Sequence, residues 1–196
     1  MKRKKSGNFF ARAYSDVWDY IKESRNFVWF ALGVFILFSL VGGFFPIFFR
    51  EGILNMLAEL LLQIEGYGPL EMVVFLFGNN SLSAFWGIFL GIFVGLFPLI
   101  ALVVNGYILG FVSNLAITQV GVFELWRLLP HGIFEIPAIM ISFGLGIRLG
   151  FFFTAKKPGK EFVKRLKMSA YTYAFVVIPL LILAAIIEGL LIVYGV

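Results

Sequence analysis

The residues of this chain best suited to chemistry lie around its only histidine. The segment Leu128–Pro137 contains His131 and Glu135, and Glu135 opens a long apolar run. Pro130 suits the first turn of a helix, where its missing N–H has no intrahelical partner. On such a helix, side chains four residues apart share one face. Ionisable groups inside a membrane-spanning segment are costly, so they indicate function by default. His131 and Glu135 are therefore the first candidates for binding an ion, relaying protons or holding a polar ligand.

Composition sets the class of protein in which that site would operate. Hydrophobic residues make up 61% of the 196 positions and charged residues 14%, and several apolar runs are long enough to span a bilayer. The chain is predicted to be an integral membrane protein with the lipid bilayer as its first partner. Its net charge of +5 comes from basic blocks that flank apolar runs, which favours membrane orientation over nucleic-acid binding. The absence of cysteine excludes disulfides, thiolate metal sites and thiol catalysis.

The order of apolar and charged segments predicts an all-α, polytopic transmembrane helical bundle. About five crossings are expected, with broken helices and two interfacial amphipathic helices. Residues 1–26 are predicted to form a cytoplasmic amphipathic segment, and residues 27–196 a single transmembrane domain that begins with a retained signal-anchor at 27–49. The second amphipathic helix is expected within the acidic stretch 50–71, on the outer side.

The distribution of positive charge predicts the orientation. Thirteen of the sixteen lysine and arginine residues fall in the N-terminal segment and in a predicted loop at 154–167. Such a bias places both segments in the cytoplasm. We therefore expect a multi-pass protein of the cell membrane, with the N-terminus cytoplasmic and the C-terminus outside.

Residues 70–120 are long enough for two crossings joined by a tight turn. Asn79-Asn80 is expected to interrupt the first of them, and a second break is expected at Phe97-Pro98 or Asn105-Gly106. Small residues recur every four positions, a stripe that lets another backbone approach closely; its members are Ser83, Gly87, Gly91 and Gly95. The stripe predicts either packing within the chain or homo-oligomerisation, with a dimer favoured.

Helix geometry brings further polar residues to the depth of Glu135. At a rise of ~1.5 Å per residue, Glu135 lies about 7 Å and Glu188 about 11 Å below the outer surface. The predicted site is a polar cluster in the outer leaflet, formed by Asn79, Asn80, His131, Glu135 and Glu188. It either binds an ion or ligand, or only fixes the register of the helices. Asn105 is an additional candidate unless it caps a turn. Arg148 is expected to reach the cytoplasmic interface and to have no special role.

Catalysis is poorly supported by these residue types. The chain contains no H-E-x-x-H motif, so His131, Glu135 and Glu188 would form at best a minimal metal set. A Ser142–His131 dyad fails because eleven residues of helix separate the two by about 16 Å. Both aspartates precede the first crossing, which excludes an intramembrane aspartyl pair. No catalytic residue is predicted, and the sequence indicates no particular cofactor.

Several motifs resemble those of the stage II sporulation protein M family of membrane proteins. They are Phe77-Gly78-Asn79-Asn80, the glycine-spaced run through Gly95, Asn105-Gly106 with Gly110, the block Leu129–Ala138 and the segment Ala184–Glu188. The namesake of that family is needed for engulfment in spore-forming bacteria, where it is linked to cell-wall hydrolases. Relatives also occur in organisms that form no spores, archaea included. The resemblance therefore implies a fold and a core more than a biological role.

Three functions follow as hypotheses. The first is a non-enzymatic membrane protein, homo-oligomeric, that assembles or anchors protein partners. The second is an ion or small-solute transporter or channel that uses the polar cluster. The third is a metal-dependent intramembrane hydrolase.

Overall fold

The structure, a computed structural model, describes residues 9–123 and 129–194, and every regular element in these ranges is helical. Five of the described helical segments are long and apolar enough to cross a membrane, which confirms the predicted all-α bundle. The helices are α1 (Phe9–Phe44), α2 (Arg50–Ile64), α3 (Pro69–Phe89), α4 (Leu96–Gln119), α5 (Leu129–Gly150), α6 (Pro158–Thr172) and α7 (Ile178–Tyr194).

Helix α1 continues without a break through the expected boundary at residue 26. Its amphipathic N-terminal part buries a face of small and aromatic side chains against the rest of the bundle; these are Ala13, Val17, Tyr20 and Ser24. The Tyr20 hydroxyl lies 3.2 Å from Ser169 Oγ on α6. The segment expected to lie on the membrane surface therefore packs on protein. Helical periodicity identifies a buried face but does not say whether lipid or protein covers it.

The predicted break at Asn79-Asn80 is wrong, because α3 runs through both residues. The chain reverses instead between α3 and α4, a few residues before the second expected break. A 3₁₀ turn at Leu90–Ile92 leads into Val94 and Gly95, whose φ angles are 57° and 71°. Pro98 then lies in the first turn of α4, where a missing N–H costs nothing. Gly106 lies inside α4, so Asn105-Gly106 is not a break either.

The basic segment predicted as a loop at 154–167 is mostly helical. After a short turn at 155–157, α6 begins at Pro158 and continues into α7 through a π-helical turn at Tyr173–Val177. Pro179 lies one residue after the start of α7 and cannot donate a backbone hydrogen bond. A π turn directly before a proline accommodates the missing bond without ending the helix. The basic segment and the last crossing thus form one continuous helical stretch.

Helix α5 is the centre of the bundle. Nearly all of its residues from Ala138 to Gly150 are buried, and it contacts α1, α3, α4, α6 and α7. Phe143 is fully buried in a core to which α1, α3, α4 and α7 contribute small or aliphatic side chains; these include Ala31, Ala84, Leu102 and Leu181. The central position of α5 means that it holds Glu135 and Arg148 against neighbouring helices.

Candidate functional site

The clearest polar contact between helices in the predicted cluster joins Asn80 to Glu135. The Asn80 Nδ2 atom of α3 donates to Glu135 Oε2 of α5 at 2.7 Å, and both side chains are half-buried. Asn79 Nδ2 lies 3.4 Å from Asn80 Oδ1, at the long end of hydrogen-bond distances. Asn79 thus lies beside Asn80, and Asn80 donates to the Glu135 carboxylate. The polar Asn80 side chain is accommodated in an unbroken helix because a partner on α5 accepts its hydrogen bond.

Glycines bring α3 and α5 close enough for this contact. A Cβ atom at Gly87 would overlap the Phe143 ring, and one at Gly91 would overlap the backbone of Gly146. From the first of these contacts to the second, the residue number rises on both sides, so the two helices run parallel. Asn80, seven residues before Gly87, therefore comes level with Glu135, eight residues before Phe143.

Gly95 is the member of the small-residue stripe that follows the turn between α3 and α4, and it also faces α5. A Cβ atom there would lie 3.1 Å from the Ile147 Cα atom, while Ser83, earlier on α3, is half-buried. The space beside Gly87, Gly91 and Gly95 is thus occupied by α5 of the same chain. This geometry corresponds to packing within the chain, one of the two alternatives for the stripe.

Glu188 lies on α7 at a different level of α3. It is half-buried, and the next residue, Gly189, packs against Val73 of α3. Val73 precedes Asn80 by seven residues, which corresponds to about 10 Å along the helix at ~1.5 Å per residue. The backbone of Glu188 therefore lies about two turns closer to the start of α3 than the Asn80–Glu135 pair. A direct Glu135–Glu188 contact stays a prediction.

Two other residues were predicted to belong to the site, His131 and Asn105. His131 falls in the first turn of α5, but its side chain lies outside the described residues, so its proximity to Glu135 stays a prediction. Among the described side chains, no three His, Cys, Asp or Glu residues are grouped so that they could hold a metal ion. Asn105 is exposed in the middle of α4 and donates to Ala101 O of its own helix at 2.8 Å, so it does not cap a turn.

A second polar contact between helices was not expected from the sequence. Ser81 Oγ lies 2.7 Å from the Tyr173 hydroxyl, which also donates to Ser81 O at 3.0 Å. Tyr173 is the first residue of the π turn, so the contact fixes the last crossing to α3 one residue after Asn80. A serine in a helix usually bonds its own backbone, and its spacing gives no sign of a partner so far along the chain.

The largest polar network of the described residues surrounds Arg148, contrary to the expectation that it has no special role. Its side chain is only 10% exposed, although it lies near the basic end of the bundle. Nη1 donates to Ser24 Oγ and, at 3.3 Å, to Tyr20 O. Nη2 donates to Glu23 Oε2 at 3.2 Å, and the guanidinium carbon lies 4.6 Å from the centre of the Tyr20 ring. Arg148 thus binds the amphipathic part of α1 to α5.

Helix α6 completes this network. Arg165 Nη1 donates to the backbone oxygen of Arg148, and its Nε donates to Glu161 Oε1 at 2.9 Å. The Tyr20 hydroxyl reaches both Arg165 O and Ser169 Oγ. Three helices are therefore joined at their basic ends by charge-assisted hydrogen bonds, which are stronger than neutral ones. The sequence feature that points to this network is Arg148 itself, the only charged residue between Ile136 and Phe153.

Two cavities lie away from the Asn80–Glu135 pair. The first has a volume of about 500 Å³ and is bounded by apolar side chains of α1, α2 and α4, among them Phe38, Ile53 and Tyr107. The second has a volume of about 290 Å³ and lies between the beginning of α1 and α6, beside Arg12, Lys164 and Lys167. One cavity is thus apolar and the other is bounded by charges.

Five long apolar helical segments, four of them packed around the central α5, with polar contacts between them, define a multi-pass α-helical membrane protein. The model of the family described as stage II sporulation protein M matches residues 26–191. The chain belongs to that family, which confirms the resemblance seen in the sequence. Comparisons with curated proteins and with solved structures found no match.

Proposed function

We propose that this protein is a non-enzymatic assembly or anchoring factor of the cell membrane that acts as a homo-oligomer, with a dimer favoured. Its basic end lies in the cytoplasm and its C-terminus outside, in keeping with the positive-charge bias. The observation that carries the proposal is the exposed helix α2. It is amphipathic, but Ile53 is its only buried residue.

The attachment of α2 to the bundle is confined to its first turns. Ile53 packs on Tyr107 and Phe111 of α4. The Tyr107 hydroxyl lies 2.9 Å from Phe45 O and accepts a bond of 3.0 Å from Phe48 N, which fixes the turn that leads into α2. From Ala58 to Gln63 every side chain is exposed, including Leu61 at 65% and Leu62 at 71%. A helix that is fixed to the bundle at one end and exposes leucines along the rest of its length is suited to contact a second copy or another protein.

The contacts between the crossings also support a scaffold. Glycines on α1 and α4 let these helices touch through their backbones, as Gly42 does at Tyr107 and Gly110 at Ser39. Gly87 and Gly146 do the same between α3 and α5. Backbones in contact leave no room for water along these interfaces, and close-packed helices resist sliding. Such a bundle is suited to holding α2 in a fixed position.

Crosslinking at α2 tests the proposal. The chain has no cysteine, so Leu61→Cys provides a single reactive site. We expect a bifunctional thiol reagent to join this variant into a dimer in native membranes. The matched control is Val120→Cys at the end of α4, which is 69% exposed and is expected on the same side of the membrane as α2. Equal crosslinking at both positions would indicate random collision, and none at position 61 would remove α2 as the contact between copies.

The Asn80–Glu135 hydrogen bond favours a second candidate function, transport of a cation or proton. A carboxylate held by an amide between crossings is the kind of group that marks ion paths. Flux into proteoliposomes separates the two functions. For a scaffold, wild type, Glu135→Gln and the control Glu59→Gln on α2 should all match empty liposomes. Flux in wild type and Glu59→Gln that is lost in Glu135→Gln would replace the scaffold with a transporter.

A further inference from the structure

The groove between the beginning of α1 and α6 has the charge and shape of a binding site. Its volume is about 290 Å³. Three cationic side chains and one carboxylate line it, which leaves a surplus of positive charge; they are Arg12, Lys164, Lys167 and Asp16. The apolar part of its wall comes from Met168 and Tyr171. Lys164 is 55% exposed, and its ammonium group lies 3.8 Å from Glu23 Oε2.

Neighbouring aromatic residues place the groove at the boundary between the membrane and water. Tyr14 and Trp18 follow Arg12 on α1 and are 51% and 57% exposed. Aromatic side chains of this kind collect at the headgroup level of a bilayer. The ring of Tyr14 lies 5.5 Å from that of Phe175, on the π turn that continues α6 into the last crossing. The groove thus opens where lipid headgroups meet the basic end of the bundle.

The cationic and apolar parts of the groove together indicate the class of ligand. Arg12 and the two lysines suit a phosphate, since arginine binds phosphate oxygens through two parallel hydrogen bonds and lysine contributes a point charge. Met168 and Tyr171 suit the apolar carbons next to that phosphate. A free phosphate ion has no such carbons, whereas a phospholipid has both parts. Basic pockets between transmembrane helices bind anionic headgroups in this way.

We propose that the groove formed by Arg12, Lys164, Lys167, Met168 and Tyr171 binds the headgroup of an anionic phospholipid from the leaflet at the basic end. The bound lipid would bridge α1 and α6. These are two of the three helices that the Arg148 network joins, about two to three turns beyond Arg12 along α1. Lipid binding there would add to the attachment of the amphipathic part of α1.

Native mass spectrometry of the full-length protein tests the proposal. The protein is purified in detergent with phosphatidylcholine, and phosphatidylglycerol is added in steps. Each lysine beside an anionic lipid contributes about a fivefold gain in affinity, so Lys164→Gln with Lys167→Gln should bind phosphatidylglycerol roughly thirtyfold more weakly. The matched control, Lys156→Gln with Lys157→Gln, removes the same charge from the turn before α6 and should change binding less than about twofold.

Each other outcome contradicts the proposal. Equal losses in both pairs would indicate diffuse attraction without a site, and no loss in the groove pair would exclude the groove. Displacement of the lipid by millimolar inorganic phosphate would identify a free-anion site instead. If the glutamine pair does not fold, Arg12→Gln should still weaken binding and Lys164→Arg with Lys167→Arg should retain it. The opposite result for those two variants would overturn the proposal.

Discussion

Replacement of Arg148 by methionine is expected to lower the free energy of unfolding by about 3 kcal/mol. Methionine is of similar length and apolar, but it leaves Ser24 Oγ and Tyr20 O without the guanidinium that donates to them. Ser24 Oγ and Tyr20 O keep the hydrogen bond of 2.6 Å between them, but each loses a charged donor, and a hydrogen bond to a charged group contributes about 1.5–3 kcal/mol. The contact of the guanidinium with the Tyr20 ring is lost as well. Unfolding in detergent, followed by circular dichroism, measures the change.

Lys164→Met is the matched control for that variant. Lys164 and Arg148 both lie near the same carboxylate oxygen, Glu23 Oε2, at 3.8 Å and 3.2 Å. Their side chains differ in exposure, 55% against 10%, so the two substitutions separate burial from charge. An exposed ion pair contributes about 0.2–1 kcal/mol, and Lys164→Met should cost no more than that. If the two variants lose equal stability, Arg148 acts only as a surface charge and the network does not hold the helices together.

A double-mutant cycle shows which contact carries the effect. Ser24→Ala combined with Arg148→Met should cost less than the sum of the single changes, with a coupling of about 1 kcal/mol or more. Additive costs would mean that the Ser24 contact contributes little. Arg148→Lys should also destabilise, because one ammonium group cannot replace a planar fork that serves Ser24 and Glu23 at once.

The crossings could be predicted from the sequence because they depend on local properties. A run of about 20 apolar residues has one low-energy state in a bilayer, a helix, so the number of spans follows from composition alone. The positions of helix ends and breaks depend less on the local sequence. Asn79-Asn80 looked like a break because polar amides are costly at that depth, but Glu135, 55 residues further on, satisfies Asn80. A partner so distant in sequence leaves no trace near residue 80.

The site was predicted less completely than the fold for the same reason. Asn80 was predicted at the level of Glu135 because both residues lie on helices that cross the membrane in the same direction. Arg148 was given no special role because a long cationic side chain near a helix end normally reaches water. The outcome differs because α1 begins well before its apolar run, and Tyr20, Glu23 and Ser24 in this first part of the helix cover the guanidinium. Their spacing shows a buried face without identifying its occupant.

Gly91→Ala is expected to be one of the most damaging single-atom changes in this chain. The added Cβ would overlap the carbonyl group and Cα of Gly146, which are backbone atoms and cannot turn away as a side chain does. Relief requires α3 and α5 to separate, and the Asn80–Glu135 hydrogen bond lies between the same two helices. Overpacking typically costs ~1–3 kcal/mol, and a backbone-to-backbone clash belongs at the upper end. Helix separation should therefore reduce both stability and the protection of α5 amides from exchange.

Gly91 lies in the 3₁₀ turn that directly follows α3, and Gly78→Ala on α3 is its control, with an expected effect of the opposite sign. Nothing lies within 4 Å of a Cβ atom built at Gly78, which is inside α3. Replacing a glycine inside a helix by alanine removes backbone freedom from the unfolded chain, so this variant should gain about 0.5–1 kcal/mol. Unfolding of both variants by sodium dodecyl sulfate in mixed micelles gives the comparison. A Gly91→Ala protein as stable as Gly78→Ala would mean that α3 and α5 do not meet at Gly146, and the parallel register that aligns Asn80 with Glu135 would be wrong.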